Sequence, residues 1–271
     1  MRAALLRLLR ATHLIQFADR IAAHRAVHAN VQANADYRAA HPKRAFPDPA
    51  LVFEVAGHAK LKSFDLSGQA HAREIACILR ENALAASPSI LDWGCGPARI
   101  LAHLPAVLNA PDARFHGCDP NPRAIAYARA ALAHISFEHS PATPPLPYAA
   151  ESFDAIYGVS ILTHLPEAQA QSWVAELARV VRNDGVVLLS AHGANAAARL
   201  PAPVRARFDA GDYVEAGGAK AGSRTYVSYF NETAGRRLFA PYFAEVVHRS
   251  ANAVIGHDLC LLRAPRRSGK A

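Results

Sequence analysis

The sequence predicts an α/β domain with an open, mostly parallel sheet that is covered by helices on both faces. From Ser89 onward, apolar segments of strand length alternate with segments of helical periodicity, as in parallel strands buried between helices. Near the end of the chain, six residues, ANAVIG, separate two further strand-like segments. Six residues are too few for a crossover helix, so we expect those two strands to form an antiparallel hairpin.

Seven strands are predicted in all. The five parallel strands are expected at 89–93, 113–118, 135–139, 153–159 and 185–191, and the hairpin strands at 243–250 and 257–264. Between them, helices are expected at 98–104, 121–133, 168–182 and 232–239. Asn231 is the expected N-cap of the last of these helices. An earlier helix is predicted from Ser67, as its N-cap, to about Ala86.

Sequence patterns divide the chain into a main domain and smaller flanking parts. These are an N-terminal helical extension or lid at 1–64, the main domain at 65–264 with a substrate-side insertion at 193–229, and a basic tail at 265–271. Apolar residues recur at helical spacing through 1–35, whereas three prolines predict an irregular connector at 41–52. We expect the N-terminal helix to serve as a lid or a homodimer contact; docking on a membrane surface is the alternative.

The positive charge lies at the ends of the chain. The formal net charge is +8, but residues 1–44 and 263–271 carry more than this excess, and the stretch between them is slightly acidic. A basic groove across the domain is the electrostatic signature of nucleic-acid binding, so nucleic acid is not expected as a partner.

Cysteine spacing and hydropathy set further limits. The four cysteines are far apart and form no CxxC pair, which argues against a metal site or a disulfide framework. No apolar run reaches the length of a membrane span. We therefore expect a cytoplasmic protein without a metal; a removed targeting segment is the alternative interpretation of the arginine-rich start.

The strongest motif is ILDWGCGPARI at 90–100. A buried strand ends at Asp92, the Gly94–Gly96 turn follows, and Pro97 is expected to open a helix. Glycines allow the backbone to bend sharply and a ligand to approach it closely. The carboxyl end of the first strand is also where open α/β sheets bind their ligands. The motif therefore predicts a ligand site at this edge of the sheet.

Asp119 ends the next predicted strand, where a carboxylate can accept hydrogen bonds from both hydroxyls of a ribose. A dinucleotide site would need G-x-G-x-x-G, but Arg99 occupies the position expected for its last glycine, and Pro97 lacks an N–H. Asp92 at the mouth of the turn would repel a pyrophosphate and attract an ammonium group. A ligand with a ribose, an adenine and a zwitterionic tail fits better, as in S-adenosylmethionine.

These segments resemble the class I methyltransferase superfamily, whose first motif reads roughly hhDhGCGxGR and whose fold is a Rossmann-like doubly wound sheet. The matching positions are Asp92, Gly94, Cys95, Gly96 and Arg99. Ala98 replaces the third glycine, which adds a methyl group near the place of the methionine moiety. The segments 144–167 and 177–193 resemble those around the family's fourth and fifth strands, and the resemblance covers about 65–262.

The resemblance implies S-adenosyl-L-methionine as the cofactor and S-adenosyl-L-homocysteine as the product. The residues implied to bind the cofactor are Asp92, Gly94, Cys95, Gly96, Arg99, Asp119, Pro120, Ser140, Pro141 and Ser160. Among these, the glycine turn would line the methionine part, Asp119 the ribose, and Ser140 the adenine, although the acid that relatives carry in the adenine loop is missing. Ser160, after the fourth strand, would lie beside the methyl group.

Two histidines follow strands at the same edge of the sheet. His164 lies in SILTHLPE after the fourth strand, and His192 ends the fifth strand in SAHG. Either could act as a general base for a hydroxyl or amine nucleophile, because methyl transfer is an in-line displacement that needs proximity and sometimes a base. For His164, a packing or capping role in a hydrophobic turn is the alternative.

The function predicted from these features is methyl transfer to a small-molecule oxygen or nitrogen acceptor. The alternatives are an RNA or protein methyltransferase that uses its basic ends as docking arms, a protein that binds the cofactor without catalysis, and an NAD-dependent enzyme. The acceptor itself is not encoded in any motif of the chain.

Overall fold

A computed structural model describes residues 14–82, 84–216 and 219–267. Its strands are β1 (Ser89–Trp93), β2 (Arg114–Asp119), β3 (Ser136–His139), β4 (Phe153–Gly158), β5 (Val181–Ala191), β6 (Val214–Ala216), β7 (Val227–Tyr229), β8 (Phe243–Arg249) and β9 (Asp258–Pro265). Seven of them form one sheet in the order β3-β2-β1-β4-β5-β9-β8, and β6 pairs with β7. Strands β1 to β5 are parallel, and β9 is antiparallel to both neighbours. The predicted fold class is therefore confirmed.

The helices are α1 (Ile15–Ala29), α2 (Val31–Ala40), α3 (Pro49–Ala56), α4 (Leu61–Glu81), α5 (Leu104–Leu108), α6 (Pro122–Ala131), α7 (Glu167–Val180), α8 (Ala194–Ala197), α9 (Ala202–Asp209) and α10 (Glu232–Phe239), with a 3-10 turn at Leu162–His164. One hydrophobic cluster joins the sheet to α4, α5 and α6, and another joins its opposite face to α7 and α10. Both faces of the sheet are thus covered. Within the described ranges, no helix is both long and apolar enough to cross a membrane.

The start of α4 differs from the prediction. The N-cap expected at Ser67 is wrong, because α4 begins at Leu61 and the Ser67 hydroxyl donates to the Phe64 carbonyl inside the helix. The Leu61 N–H is instead bonded by Oδ1 of Asn34, a buried residue on α2, at 2.9 Å. This cap comes from a residue 27 positions away in the sequence. Spacing along the helix alone therefore could not reveal it. The helix also ends at Glu81, before the predicted end near Ala86.

Two further elements differ in their bounds. The helix expected at 98–104 is wrong, because Ala98 adopts a left-handed φ of 56° and turns continue until α5 begins. The irregular connector expected at 41–52 is wrong over its last part, because α3 begins at Pro49. There Oδ1 of Asp48 caps the Ala50 N–H at 2.7 Å, and a proline at the first helical position needs no N–H partner.

Strand β5 follows α7 directly and contains a bulge near its start. Phe153 pairs with Val181 and Ala155 with Val186, so the four residues at 182–185 leave the ladder opposite a single residue of β4. At the end of the chain, α10 and its Asn231 cap are as predicted: Oδ1 of Asn231 accepts the Ala234 N–H at 3.1 Å.

The N-terminal extension packs on the insertion. Asp19 of α1 forms an ion pair with Arg224, and the Arg224 guanidinium lies 4.7 Å from the centre of the Phe53 ring on α3. Leu14, just before α1, and Phe17 and Ile21 on α1 are exposed. The helical pattern predicted for residues 1–13 and the end of the basic tail, 268–271, lie outside the described residues.

Candidate cofactor and acceptor site

The glycine turn after β1 is held to the end of β2 by its own backbone. The Gly94 and Cys95 N–H groups both donate to the Cys118 carbonyl, at 2.9 and 3.0 Å. The Gly96 N–H donates to Oδ2 of Asp119 at 2.9 Å. The two sequence motifs, which lie on neighbouring strands, thus form one hydrogen-bonded unit. The unit presents bare backbone on one side and a carboxylate on the other.

Both glycines of the turn adopt backbone conformations that other residues rarely reach. Gly94 has a φ of 75°, and a methyl group there would clash with Cδ1 of Ile161. Gly96 has a φ of 52°, and a methyl group there would lie 3.2 Å from Cγ2 of Val55 on α3. The turn is therefore packed between Ile161, which follows β4, and Val55 of the N-terminal extension.

Ala98, at the position where the family has a third glycine, keeps a left-handed backbone. Its φ is 56°, and its side chain is fully buried among the hydrophobic residues that join the sheet to α4 and α5. The extra methyl group is therefore accommodated in the core beneath the turn.

Asp119 retains the capacity to bind a ligand. Its Oδ1 accepts the Asn121 N–H at 2.8 Å and its Oδ2 accepts Gly96, which leaves lone pairs on both oxygens. Burial raises the pKa of this carboxyl group, although the hydrogen bonds from Asn121 and Gly96 act in the opposite direction. The Ser140 N–H donates to the Asp119 carbonyl at 3.2 Å, which brings the predicted adenine loop to the predicted ribose site. Pro120 and Pro141 are exposed at the same edge.

Asp92 lies beneath the turn and is buried, with 3% of its surface exposed. Burial raises its pKa to about 7, with Tyr157 and Arg99 acting to lower it. The buried Tyr157 hydroxyl lies near enough to Asp92 to affect its pKa, but it forms no hydrogen bond with any described residue. Nη1 of Arg99 lies 3.3 Å from the Ser67 hydroxyl of α4. Arg99 is therefore positioned by α4, and its charge acts on the acid electrostatically.

Ser160 joins the ends of three strands. It follows β4 with a left-handed φ of 66°, and its N–H donates to the Ser190 hydroxyl at 2.7 Å near the end of β5. The Ser190 hydroxyl lies 3.1 Å from Nδ1 of His257, which precedes β9. A hydrogen-bonded chain thus runs along the edge of the sheet beside the glycine turn.

The two histidines predicted as bases come together at this edge. Nδ1 of His164 lies 2.7 Å from the Tyr226 carbonyl, and Nδ1 of His192 lies 3.2 Å from the Ser228 carbonyl. Burial lowers the pKa of both imidazoles, that of His192 to about 4, so both are neutral at pH 7. The insertion, which carries β7, therefore holds both rings through its backbone.

Two histidines that sequence reasoning missed belong to the same group. The His257 ring contacts His192 edge to face, with centroids 4.7 Å apart, and Nδ1 of His71 on α4 lies 3.2 Å from Nη1 of Arg99. Burial lowers the pKa of each to about 4. The predicted hairpin could have pointed to His257, because Ala191 pairs with Asp258 and the neighbouring positions then face each other.

The residues present fit a cationic adenosyl ligand. Glu54 of α3 lies close to the turn. Its Oε2 accepts a hydrogen bond from Nδ2 of Asn121 at 2.8 Å, and its charge contributes to raising the pKa of Asp119. The carboxyl groups of Asp92 and Asp119 favour a positive ligand, and the neutral histidines do not repel one. Among the described residues, no three His, Cys, Asp or Glu side chains are placed to hold a metal ion.

Comparisons with known proteins agree with this geometry. The methyltransferase domain family matches residues 90–185, which run from β1 into β5. No curated protein matches the sequence.

Solved structures share the fold at low sequence identity. DesVI of Streptomyces venezuelae gives a TM-score of 0.52 at 15% identity, over 74% of this chain and 93% of its own. The PH0226 protein of Pyrococcus horikoshii gives 0.52 at 14%, over 72% and 89%. A SAM-dependent methyltransferase of Methanosarcina mazei gives 0.50 at 18%, over 68% and 94%. The family match thus covers the glycine turn and the acidic strand end, and the segment 90–185 is similar to a methyltransferase domain.

Proposed function

We propose that the chain transfers a methyl group from S-adenosylmethionine to the oxygen or nitrogen of a small molecule. The observation that carries the proposal is the hydrogen-bonded unit of the Gly94–Gly96 turn and Asp119, which offers backbone to the methionine part and carboxylate oxygens to the ribose. The M. mazei relative is named as SAM-dependent, which supports the same cofactor here. When bound, this cofactor supplies a methyl group already activated by a sulfonium charge.

The roles of the chain's own residues follow from where they lie. Asp119 would accept the ribose hydroxyls, with Pro120 beside it, and Ser140 and Pro141 would lie along the adenine. Asp92 and Arg99 would support the turn that contains Cys95, and Ser160 would lie beside the methyl group at the end of β4. Because these residues are held by backbone hydrogen bonds and packing, the site would bind its ligand with little rearrangement.

On the acceptor side, His164 and His192 stay the candidates for a general base. Each is neutral at pH 7 and is placed by a backbone carbonyl of the insertion. Neutral imidazoles can take a proton from a hydroxyl or amine as the new bond forms, and such proton transfer contributes typically about 100-fold or more to the rate. A homodimer through α1 stays a prediction, for which the exposed Phe17 and Ile21 of that helix offer apolar surface, and a cytoplasmic location also stays a prediction.

The test is methyl transfer from cofactor labelled at its methyl group. The full chain is incubated with the labelled cofactor and with three separate fractions: small molecules, RNA and proteins. We expect label in the small-molecule fraction. Label in RNA, with a steep dependence on salt, would support the nucleic-acid alternative instead. Binding of the cofactor with no labelled product in any fraction would support a protein without catalysis.

A further inference from the structure

The four histidines at the sheet edge form a neutral cluster that the sequence scatters over almost the whole chain. They lie on α4 (His71), in the 3-10 turn (His164), after β5 (His192) and before β9 (His257). The ring of His257 touches that of His192, and His164 and His71 contribute to lowering the pKa of His257 after the larger effect of burial. Since the rings are uncharged at pH 7, what matters for a substrate is which ring nitrogens carry hydrogen.

His192 offers a hydrogen-bond acceptor. Its Nδ1 faces the Ser228 carbonyl, and a carbonyl oxygen can only accept. The hydrogen of the neutral ring is therefore on Nδ1, and Nε2 carries a lone pair. His164 is fixed in the same tautomer by the Tyr226 carbonyl.

His257 offers a hydrogen-bond donor instead. The Ser190 hydroxyl already accepts the Ser160 N–H at 2.7 Å, so its own hydrogen is free to donate, and Nδ1 of His257 lies 3.1 Å away. If Nδ1 carried a hydrogen instead, the Ser190 hydrogen would lack an acceptor among the described residues. Nδ1 of His257 is therefore the acceptor in this contact, and Nε2 carries the hydrogen.

The two rings in contact thus have complementary hydrogen-bonding groups. Both Nδ1 atoms are bound to the protein, and within 14–82, 84–216 and 219–267 neither Nε2 has a hydrogen-bond partner. One Nε2 can accept a hydrogen and the other can donate one. The pair is linked through Ser190 to Ser160, the residue expected beside the methyl group.

We propose that His192 and His257 orient a hydroxyl group, of an alcohol or a phenol, as the methyl acceptor; this rests on the proposed function. A hydroxyl oxygen has one hydrogen to give to His192, one lone pair to accept from His257, and a second lone pair to attack the methyl carbon. A neutral amine has a single lone pair. If that lone pair accepted the hydrogen bond from His257, it could not attack the methyl carbon.

In the reaction, the acceptor oxygen bonds to the methyl carbon while the carbon–sulfur bond breaks and leaves its electron pair on sulfur. The hydroxyl proton passes to Nε2 of His192, which becomes an imidazolium and then releases the proton to water. Ser190 is a positioning residue, because it acts only by fixing the tautomer of His257.

The tautomers can be tested without a substrate. Nitrogen-15 NMR of the full chain distinguishes protonated from bare ring nitrogens, and signals are assigned from the His192→Gln and His257→Gln variants. We expect hydrogen on Nδ1 of His192 and on Nε2 of His257. In Ser190→Ala, we expect His257 to become a mixture of both tautomers while His192 is unchanged. Hydrogen on the same nitrogen of both rings in the unaltered chain would overturn the proposal, whatever the enzyme's activity.

The acceptor atom is tested with cofactor carrying a carbon-13 methyl group and a small-molecule extract. We expect a product whose methyl carbon has the chemical shift of a methoxy group, and an N-methyl shift would overturn the proposal while leaving methyl transfer intact. His192→Gln should lower kcat/KM by about 100-fold or more with cofactor affinity within about twofold. The exposed His134→Gln is the matched control and should retain full activity. A complete lack of labelled product would instead contradict the proposed function on which the inference rests.

Discussion

The two sides of the site are built in different ways. The proposed cofactor side consists of Asp92, the Gly94–Gly96 turn and Asp119, which two adjacent strands bring together through backbone hydrogen bonds. The proposed acceptor side consists of the four histidines with Ser160 and Ser190, contributed by elements from α4 to β9. The first is anionic and local in sequence; the second is neutral and assembled from distant segments. The comparison teaches that the proposed cofactor side depends on a local motif, whereas the proposed acceptor side depends on the register of distant strands.

The largest expected effect is a loss of folding stability at acid pH, and the buried histidines of the acceptor side are its expected cause. His71, His192 and His257 have pKa values of about 4 in the folded chain, against 6.5 for an exposed histidine. As pH falls through this window, the unfolded chain binds protons that the folded chain does not, so stability decreases between pH 6.5 and pH 4. Each histidine accounts for about 1–3 kcal/mol at the acid end.

The cofactor side has the opposite sign. The pKa of Asp92 is raised from 3.8 to about 7, so its contribution to stability is present below pH 3.8 and is lost as pH rises through about 7. Urea unfolding at pH values from 4 to 8 measures both slopes. We expect His192→Gln to weaken the acid loss and Asp92→Asn to weaken the loss at higher pH. Parallel curves for the unaltered chain and both variants would contradict the two-sided picture.

The next effect concerns cofactor binding. Asp119→Ala should weaken cofactor binding by about 100-fold, because hydrogen bonds from the ribose hydroxyls to a charged group are lost. Isothermal titration measures the affinity, and Asp112→Ala, an exposed acid just before β2, is the matched control. Since Asp119 also accepts two backbone N–H groups, the thermal unfolding of the variant is measured alongside. Unchanged affinity in a folded variant would break the assignment of the cofactor side.

A further effect concerns the glycine turn itself. Gly94→Ala should lower the free energy of unfolding by about 2–3 kcal/mol, because a left-handed backbone with a side chain costs about 1–2 kcal/mol and the methyl group also clashes with Ile161. Gly222→Ala is the matched control: its φ of 78° is nearly the same, but no atom lies within 4 Å of the added methyl group. We expect a loss of about 1 kcal/mol there. Equal losses in urea unfolding would show that the turn is not tightly covered.

How far the sequence predicted the molecule differs between these parts. The strand at 89–93 and the helix at 232–239 were predicted with their observed bounds, since an apolar run and an Asn cap are local signals. The start of α4 was wrong, because its cap is supplied by Asn34 from another helix. The helix expected at 98–104 was wrong for a different reason: a left-handed Ala98 interrupts it, and alanine carries no signal for that conformation.

The sequence by itself determined the sheet, its parallel and antiparallel strands and the glycine turn beside an acid, because each depends on periodicity or on residues within a few turns of chain. Only the tertiary structure decided the acceptor side. His257 lies against His192 because β9 pairs with β5 in one register, and each tautomer follows from a hydrogen bond to a distant segment. Such contacts depend on how remote strands align, and no local pattern of side chains specifies that alignment.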